Sequence, residues 1–205
     1  MNASKLWWAQ ALVGLAAIGV LAACASSSPA PVLLTLPPAA VGAAATPGAP
    51  ASAPVLVVRR VSIPEYLVAR RVRYRADAST LAEWPNTYWA ERIEIGVSRE
   101  FVSALRQQLP GWTLCDTVCA DQPTALALQV DLVPMDYLRS AQKLQARARI
   151  SVSDTGPTSR TLHTEELPFE VAASADTAQA QAQAMSALIR QVALAAAPIV
   201  KAARP

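Results

Sequence analysis

The sequence predicts an α+β fold: a largely antiparallel or mixed sheet with two long helices packed on it, behind an apolar leader and a flexible Ala/Pro tether. Three observations carry this. Large apolar residues recur at every second position over 126–132, between Ala127, Gln129 and Asp131, and apolar residues alternate with polar ones over 144–152, the pattern of half-buried antiparallel strands. Two other stretches, 89–109 and 185–199, bring their apolar residues onto one helical face. Ahead of both, not one charged residue stands between Lys5 and Arg59.

Residues 1–23 carry one charge, Lys5, followed by an apolar run without flanking stop-transfer charges, which reads as a secretory signal peptide rather than a spanning helix. The run closes on Leu21-Ala22-Ala23-Cys24, which resembles the bacterial lipobox at all four positions. Small residues fit the peptidase, and the Cys24 thiol takes a diacylglycerol. Several acyl chains, at ~0.8 kcal/mol per buried CH₂, make such an anchor effectively permanent. Ala25 stands where aspartate would resemble an inner-membrane retention signal, so the expected address is the periplasmic face of the outer membrane. Residues 24–54 read as a tether, with prolines at 29, 31, 37, 38, 47, 50 and 54 among Ala, Ser and Gly. Within it, 32–36 has strand composition and 37–53 is expected to be disordered. The domain proper is expected over 55–203.

Val55-Leu56-Val57-Val58 is apolar on both faces, as a covered central strand must be, and Val61 and Ile63 read as its continuation. Short strands are expected around 72–75 and 80–84. Asn86 reads as the cap of a helix in which Trp89, Ile93, Val97, Phe101, Leu105 and Leu109 recur every four residues, and Pro110-Gly111 ends it. A third antiparallel strand, 161–171, follows the turn at Asp154-Thr155-Gly156-Pro157. Asp176 and Gln179 read as the capping pair of a last helix whose Met185, Leu188, Ile189, Val192, Ala196 and Ile199 share one face.

Composition narrows the function. The 205 residues carry a net charge of +3 with no run of Lys or Arg longer than two, unlike a nucleic-acid footprint. One histidine, His163, and three cysteines are a poor stock for a metal cage or a His-based triad, so neither a metal nor a catalytic site is assigned. No Gly-rich phosphate loop and no Gly-x-Ser-x-Gly elbow is present. The chain therefore reads as a non-enzyme with no cofactor beyond the covalent lipid on Cys24, and an envelope hydrolase is the disfavoured alternative.

Two segments carry a family resemblance. The tether leads into Val55-Leu56-Val57-Val58-Arg59-Arg60-Val61-Ser62-Ile63-Pro64-Glu65-Tyr66-Leu67, and the next aromatic cluster is Tyr88-Trp89-Ala90-Glu91-Arg92-Ile93. The chain resembles the ABC-type transport auxiliary lipoproteins, the PqiC-like family, in which a strand ends in I-P-x-Y-L and a W-A-E-x-L segment follows. Val68-Ala69-Arg70-Arg71 depart from the acidic and proline residues common there, and Arg92 from a frequent proline. The resemblance implies a non-catalytic docking subunit of an MCE-type intermembrane lipid transport system that maintains envelope integrity. The implied partner is a periplasmic MCE-domain protein; homo-oligomerisation is left open. The competing reading is a carrier that itself holds phospholipid acyl chains.

Ile63, Pro64, Glu65, Tyr66 and Leu67 are the candidate partner-binding residues, because proline fixes the turn and tyrosine offers low-entropy contact area. The same pattern also fits a loop whose Tyr66 and Leu67 close the edge of the core, and both readings stand at this point. Cys115 and Cys119 are expected to form a disulfide in an oxidising compartment, with Asp116 and Thr117 turning between them. His163, Glu165 and Glu166 read as a solvated strand, and Arg147 and Arg149 as partners of glutamates across the sheet.

Overall fold

The computed structural model describes residues 29–38, 53–115 and 126–203. The expected signal peptide, Cys24, most of the 37–53 segment and Cys119 lie outside the described residues. Among the described residues, eight strands and two α-helices form two layers. The strands are β1 (Val32–Leu34), β2 (Val55–Val58), β3 (Arg71–Arg75), β4 (Leu81–Trp89), β5 (Thr113–Cys115), β6 (Leu126–Leu138), β7 (Lys143–Asp154) and β8 (Thr161–Ala172). The helices are α1 (Ile93–Gln108) and α2 (Ala178–Ala202). The sheet is mixed, as expected.

β6 organises it. β7 runs antiparallel along its whole length and carries β8 beyond. The opposite edge is shared: β2 pairs parallel with Leu126–Leu128, and β3 joins at Leu138. Two arms therefore fork from one strand, β2–β5 and β3–β4–β1. β2 is central, between β5 and β6, which explains its apolar residues on both faces. It ends at Val58. The next residues follow the edge of β6 through Ser62, whose amide donates to the Val130 carbonyl at 2.9 Å and whose carbonyl accepts from Leu132 N at 2.8 Å.

The predicted alternation in β6 stops at Leu132 for a physical reason. A register shift falls between Leu132 and Met135, around Pro134, which has no N–H to give to the ladder. The phase resets there. Leu126, Leu128, Val130 and Leu132 are buried before the shift, and Met135 and Tyr137 after it.

Asn86 does not cap α1. It lies inside β4 with φ of 48°, the left-handed conformation that Asn tolerates. Arg73 pairs with Glu83 and Arg71 with Tyr88, so β4 carries extra residues between these rungs, and Asn86 sits in that bulge. The bulge keeps Trp84, Thr87 and Trp89 buried together. Trp89 thus belongs to the strand, although it faces the same core as Ile93, Val97, Phe101 and Leu105. Arg92 occupies the N-cap of α1 without a side-chain cap bond. At α2 the cap is Thr177, whose Oγ1 accepts from Ala180 N at 3.1 Å. The expected capping residue, Asp176, is engaged elsewhere. On length and composition α2 is apolar enough to span a bilayer, but it packs within the fold, with Leu188, Val192, Ala193 and Ala196 fully buried.

Both helices cover one face of the sheet. Gln181 of α2 meets Trp84 of β4, and Ser98 of α1 accepts from Val61 N through Oγ at 3.1 Å. The opposite face is polar, with Arg147 and Arg149 exposed on β7.

Candidate functional site

The segment from Ile63 to Leu67 folds down onto the polar face instead of projecting from it. Ile63 and Pro64 are buried, Glu65 is exposed, and Glu65–Leu67 form one 3-10 turn closed by Leu67 N and Val68 N on the Pro64 and Glu65 carbonyls. Leu67 packs against the core. Tyr66 is half-buried, and its hydroxyl donates to Asp136 Oδ1 at 2.9 Å. Arg75 donates to the same oxygen at 2.9 Å, with its guanidinium 5.5 Å from the centre of the Tyr66 ring. Arg73 donates to the Tyr66 carbonyl at 2.9 Å and to Glu83 Oε1 at 3.3 Å.

This network joins residues 61 to 70 positions apart. Sequence reasoning found Tyr66 but neither Asp136 nor Arg75. Asp136 follows the register shift, where period two no longer tells a reader which face a residue takes. Its side chain is only 10% exposed and that of Arg75 19%, so the pair is largely withdrawn from water. Burial raises the Tyr66 phenol above its ordinary pKa, the Asp136 carboxylate adds to this, and Arg75 opposes it. Burial likewise raises Tyr137, followed by the charge of Asp176.

Both phenols hold their protons more tightly folded than unfolded. Their contribution to stability is complete below the unfolded value near 10 and is lost as pH rises through the higher folded values. The urea midpoint should therefore fall as pH is raised from about 9 to about 11. Tyr66→Phe should flatten that fall, and an unchanged pH profile in this variant would count against the network.

A second polar cluster lies on the helix side. Arg139 grips Asp176 through Nε at 2.9 Å and Nη2 at 3.1 Å, donates to the Tyr74 hydroxyl at 2.8 Å, and stacks 4.3 Å from the Trp84 ring. Asp176 thereby fixes the approach to α2 instead of capping it. An open cleft of about 410 Å³ runs between Val68-Ala69-Arg70 and the segment Trp89 to Glu94. Its carboxylates are already engaged: Glu91 holds Arg99 through two bonds of 2.7 and 2.8 Å, which lowers its pKa, and Glu94 pairs with Arg92.

Cys115 ends β5, with its Sγ 3.8 Å from the Leu56 carbonyl oxygen. His163 and Glu165 share a face, 3.5 Å apart and half-exposed. Arg147 reaches Glu166 diagonally across the β7–β8 ladder at 3.9 Å. Among the described residues no three His, Cys, Asp or Glu side chains gather as a metal cluster.

The fold recurs in solved structures. A crystal structure of an uncharacterised protein superposes with a TM-score of 0.67 at 17% identity, covering 84% of this chain and 99% of that one. A protein of Xanthomonas campestris assigned to the DUF330 family model superposes with a TM-score of 0.58 at 15% identity, covering 85% and 94%. At these identities the likeness is one of fold. No curated protein matches the sequence. The family model for the ABC-type transport auxiliary lipoprotein component matches residues 34–197, which span β1 to the last turns of α2. By that match over most of its length, the chain belongs to the ABC-type transport auxiliary lipoprotein component family.

Proposed function

We propose that this chain is the lipid-anchored docking subunit of an MCE-type intermembrane lipid transport system, held at the periplasmic face of the outer membrane and catalysing no reaction. The observation that carries this reading is the family match over residues 34–197 directly behind a complete lipobox ending at Cys24. An auxiliary lipoprotein of a transporter works by contact, and an anchor raises the local concentration of its binding surface. Glu65 and Tyr66 supply contact area on a turn held rigid by Asp136, Arg75 and Arg73, while Ile63, Pro64 and Leu67 support it from below. Affinity capture from envelope extracts should recover an MCE-domain protein. Failure to recover one, together with phospholipid carried through purification, would favour the carrier reading instead.

The anchor has its own test. Cys24→Ala should leave an uncleaved or mislocalised precursor. Normal cleavage and outer-membrane fractionation of that variant would overturn the lipobox reading. Cys115 and Cys119 are proposed to be disulfide-bonded, a short loop adding only ~2 kcal/mol. Alkylation of denatured protein before reduction should then leave both thiols unlabelled, and labelling of both would refute the pair.

A further inference from the structure

We infer that the outer edge of β8 is closed to a further strand, so that neither a second copy of this chain nor a partner strand extends the sheet there. Its 12 residues pair with β7 and, among the described residues, with no other strand, whereas β1 and β5, which end the other branches of the sheet, have three residues each. An edge of that length presents a row of main-chain donors and acceptors that a neighbouring chain can use. Which residues present them follows from the ladder. Ala173 N donates to the Gln142 carbonyl at 2.7 Å, and one register then runs from Lys143 opposite Ala172 to Val152 opposite His163. Hydrogen-bonded and open rungs alternate along an antiparallel pair, so Val171, Phe169, Leu167, Glu165 and His163 bond to β7. Thr164, Glu166, Pro168, Glu170 and Ala172 turn their main-chain groups outward.

Pro168 stands in the middle of that outward row. Opposite Arg147 it costs β7 nothing, because this rung carries no bond, but it removes the central donor from the free edge. A strand added in either direction meets that missing donor. For two copies related by a two-fold axis, any antiparallel register that includes Pro168 sets it in a hydrogen-bonding rung and leaves a carbonyl of the other copy unpaired, and symmetry repeats the loss. The register centred on Glu166 also sets this carboxylate against its copy. Glu166 and Glu170 are exposed beside the proline, 3.9 Å from Arg147 and 2.8 Å from Lys143 of β7, and Glu165 meets His163 at 3.5 Å. The two pairs with β7 are hydrated at the rim and would lose that water beneath a neighbouring strand. At its other end β8 shifts register between Val152 and Ser153, which twists the edge away from a straight partner.

The test follows amide hydrogen exchange residue by residue in the purified full chain, in detergent micelles, at rising protein concentration. The amides of Thr164, Glu166 and Glu170 should exchange at least about tenfold faster than those of Leu167 and Phe169, at a rate independent of concentration. Pro168→Thr combined with Glu166→Thr restores the donor and removes the charge. In that variant the amides of Thr164 and Glu170 should slow severalfold as concentration rises, and sedimentation should show a dimer. Slow exchange of Thr164 and Glu170 in the wild type overturns the inference, because a strand then occupies the edge. A folded variant that exchanges and sediments like the wild type overturns it as well, since Pro168 and Glu166 then block nothing. Circular dichroism reports whether the variant folds, and if it does not, the wild-type exchange pattern decides alone. Association of the wild type with these amides still fast agrees with the inference and places the contact between copies elsewhere on the domain.

Discussion

Asp136→Ala is expected to lower the stability of the domain by about 3–5 kcal/mol, because it strands a largely buried Arg75 guanidinium without its counter-charge. Tyr66 loses its acceptor in the same step, and the 63–67 turn loses its tie to β6. In a domain of this size the melting temperature should drop on the order of 10 °C. Asp136→Asn keeps an acceptor oxygen and removes the charge, so its loss should be smaller. The informative comparison replaces both partners. Arg75→Met with Asp136→Leu should recover much of the loss, since the pair's worth lies more in not leaving one charge alone than in its net attraction. Tyr66→Ala should cost far less stability than Asp136→Ala while weakening capture of the transporter partner. If Asp136→Ala melts like wild type, the network is not what holds the turn.

The parts of the fold that the sequence announced are those where neighbours in sequence share one environment. β6 before Leu132, β7 and α2 each face the helix–sheet interface with an unbroken period, so burial is written into the residues themselves. The misassignments fall where the chain changes phase. Trp89 lies four residues before Ile93 and faces the same core, so spacing alone placed it on α1, although Ala90 N donates to the Leu34 carbonyl at 2.8 Å and the chain turns before the helix begins. Asp176 has cap chemistry, but a guanidinium 37 residues away competes for it and wins with charge-assisted bonds. The strand at Thr113–Cys115 was not legible at all. Three residues paired parallel to β2 carry no local period, and only the distant partner makes them a strand. The candidate site divides in the same way: Tyr66 announces itself by a proline and an aromatic ring, whereas Arg75 and Asp136 acquire their meaning from pairing across the fork in the sheet.

Trp84→Ala should be the most damaging single change on the helix side, costing about 3–5 kcal/mol. The ring is 7% exposed and sits between Tyr74, at 5.0 Å, and Tyr137, at 6.5 Å, with Arg139 stacked on it. Its Nε1 donates to Gln181 Oε1 at 2.6 Å, and Gln181 Nε2 donates to the Arg73 carbonyl at 2.7 Å. Truncation therefore opens a cavity, leaves a buried amide oxygen unpaired, and removes the surface that aligns Arg139 with Asp176. Trp84→Phe isolates the polar part. It keeps most of the apolar contact and orphans Gln181 Oε1, for an expected loss of about 1–3 kcal/mol. Gln181→Leu orphans the Trp84 Nε1 and the Arg73 carbonyl instead. In the double variant the orphaned pair is gone from both sides, so the two losses should add to more than the combined effect, by about 1 kcal/mol. Urea titrations of the four proteins read this directly. Strict additivity would mean that the Trp84–Gln181 bond contributes nothing, leaving apolar packing and the Gln181–Arg73 bond to hold α2 to the sheet.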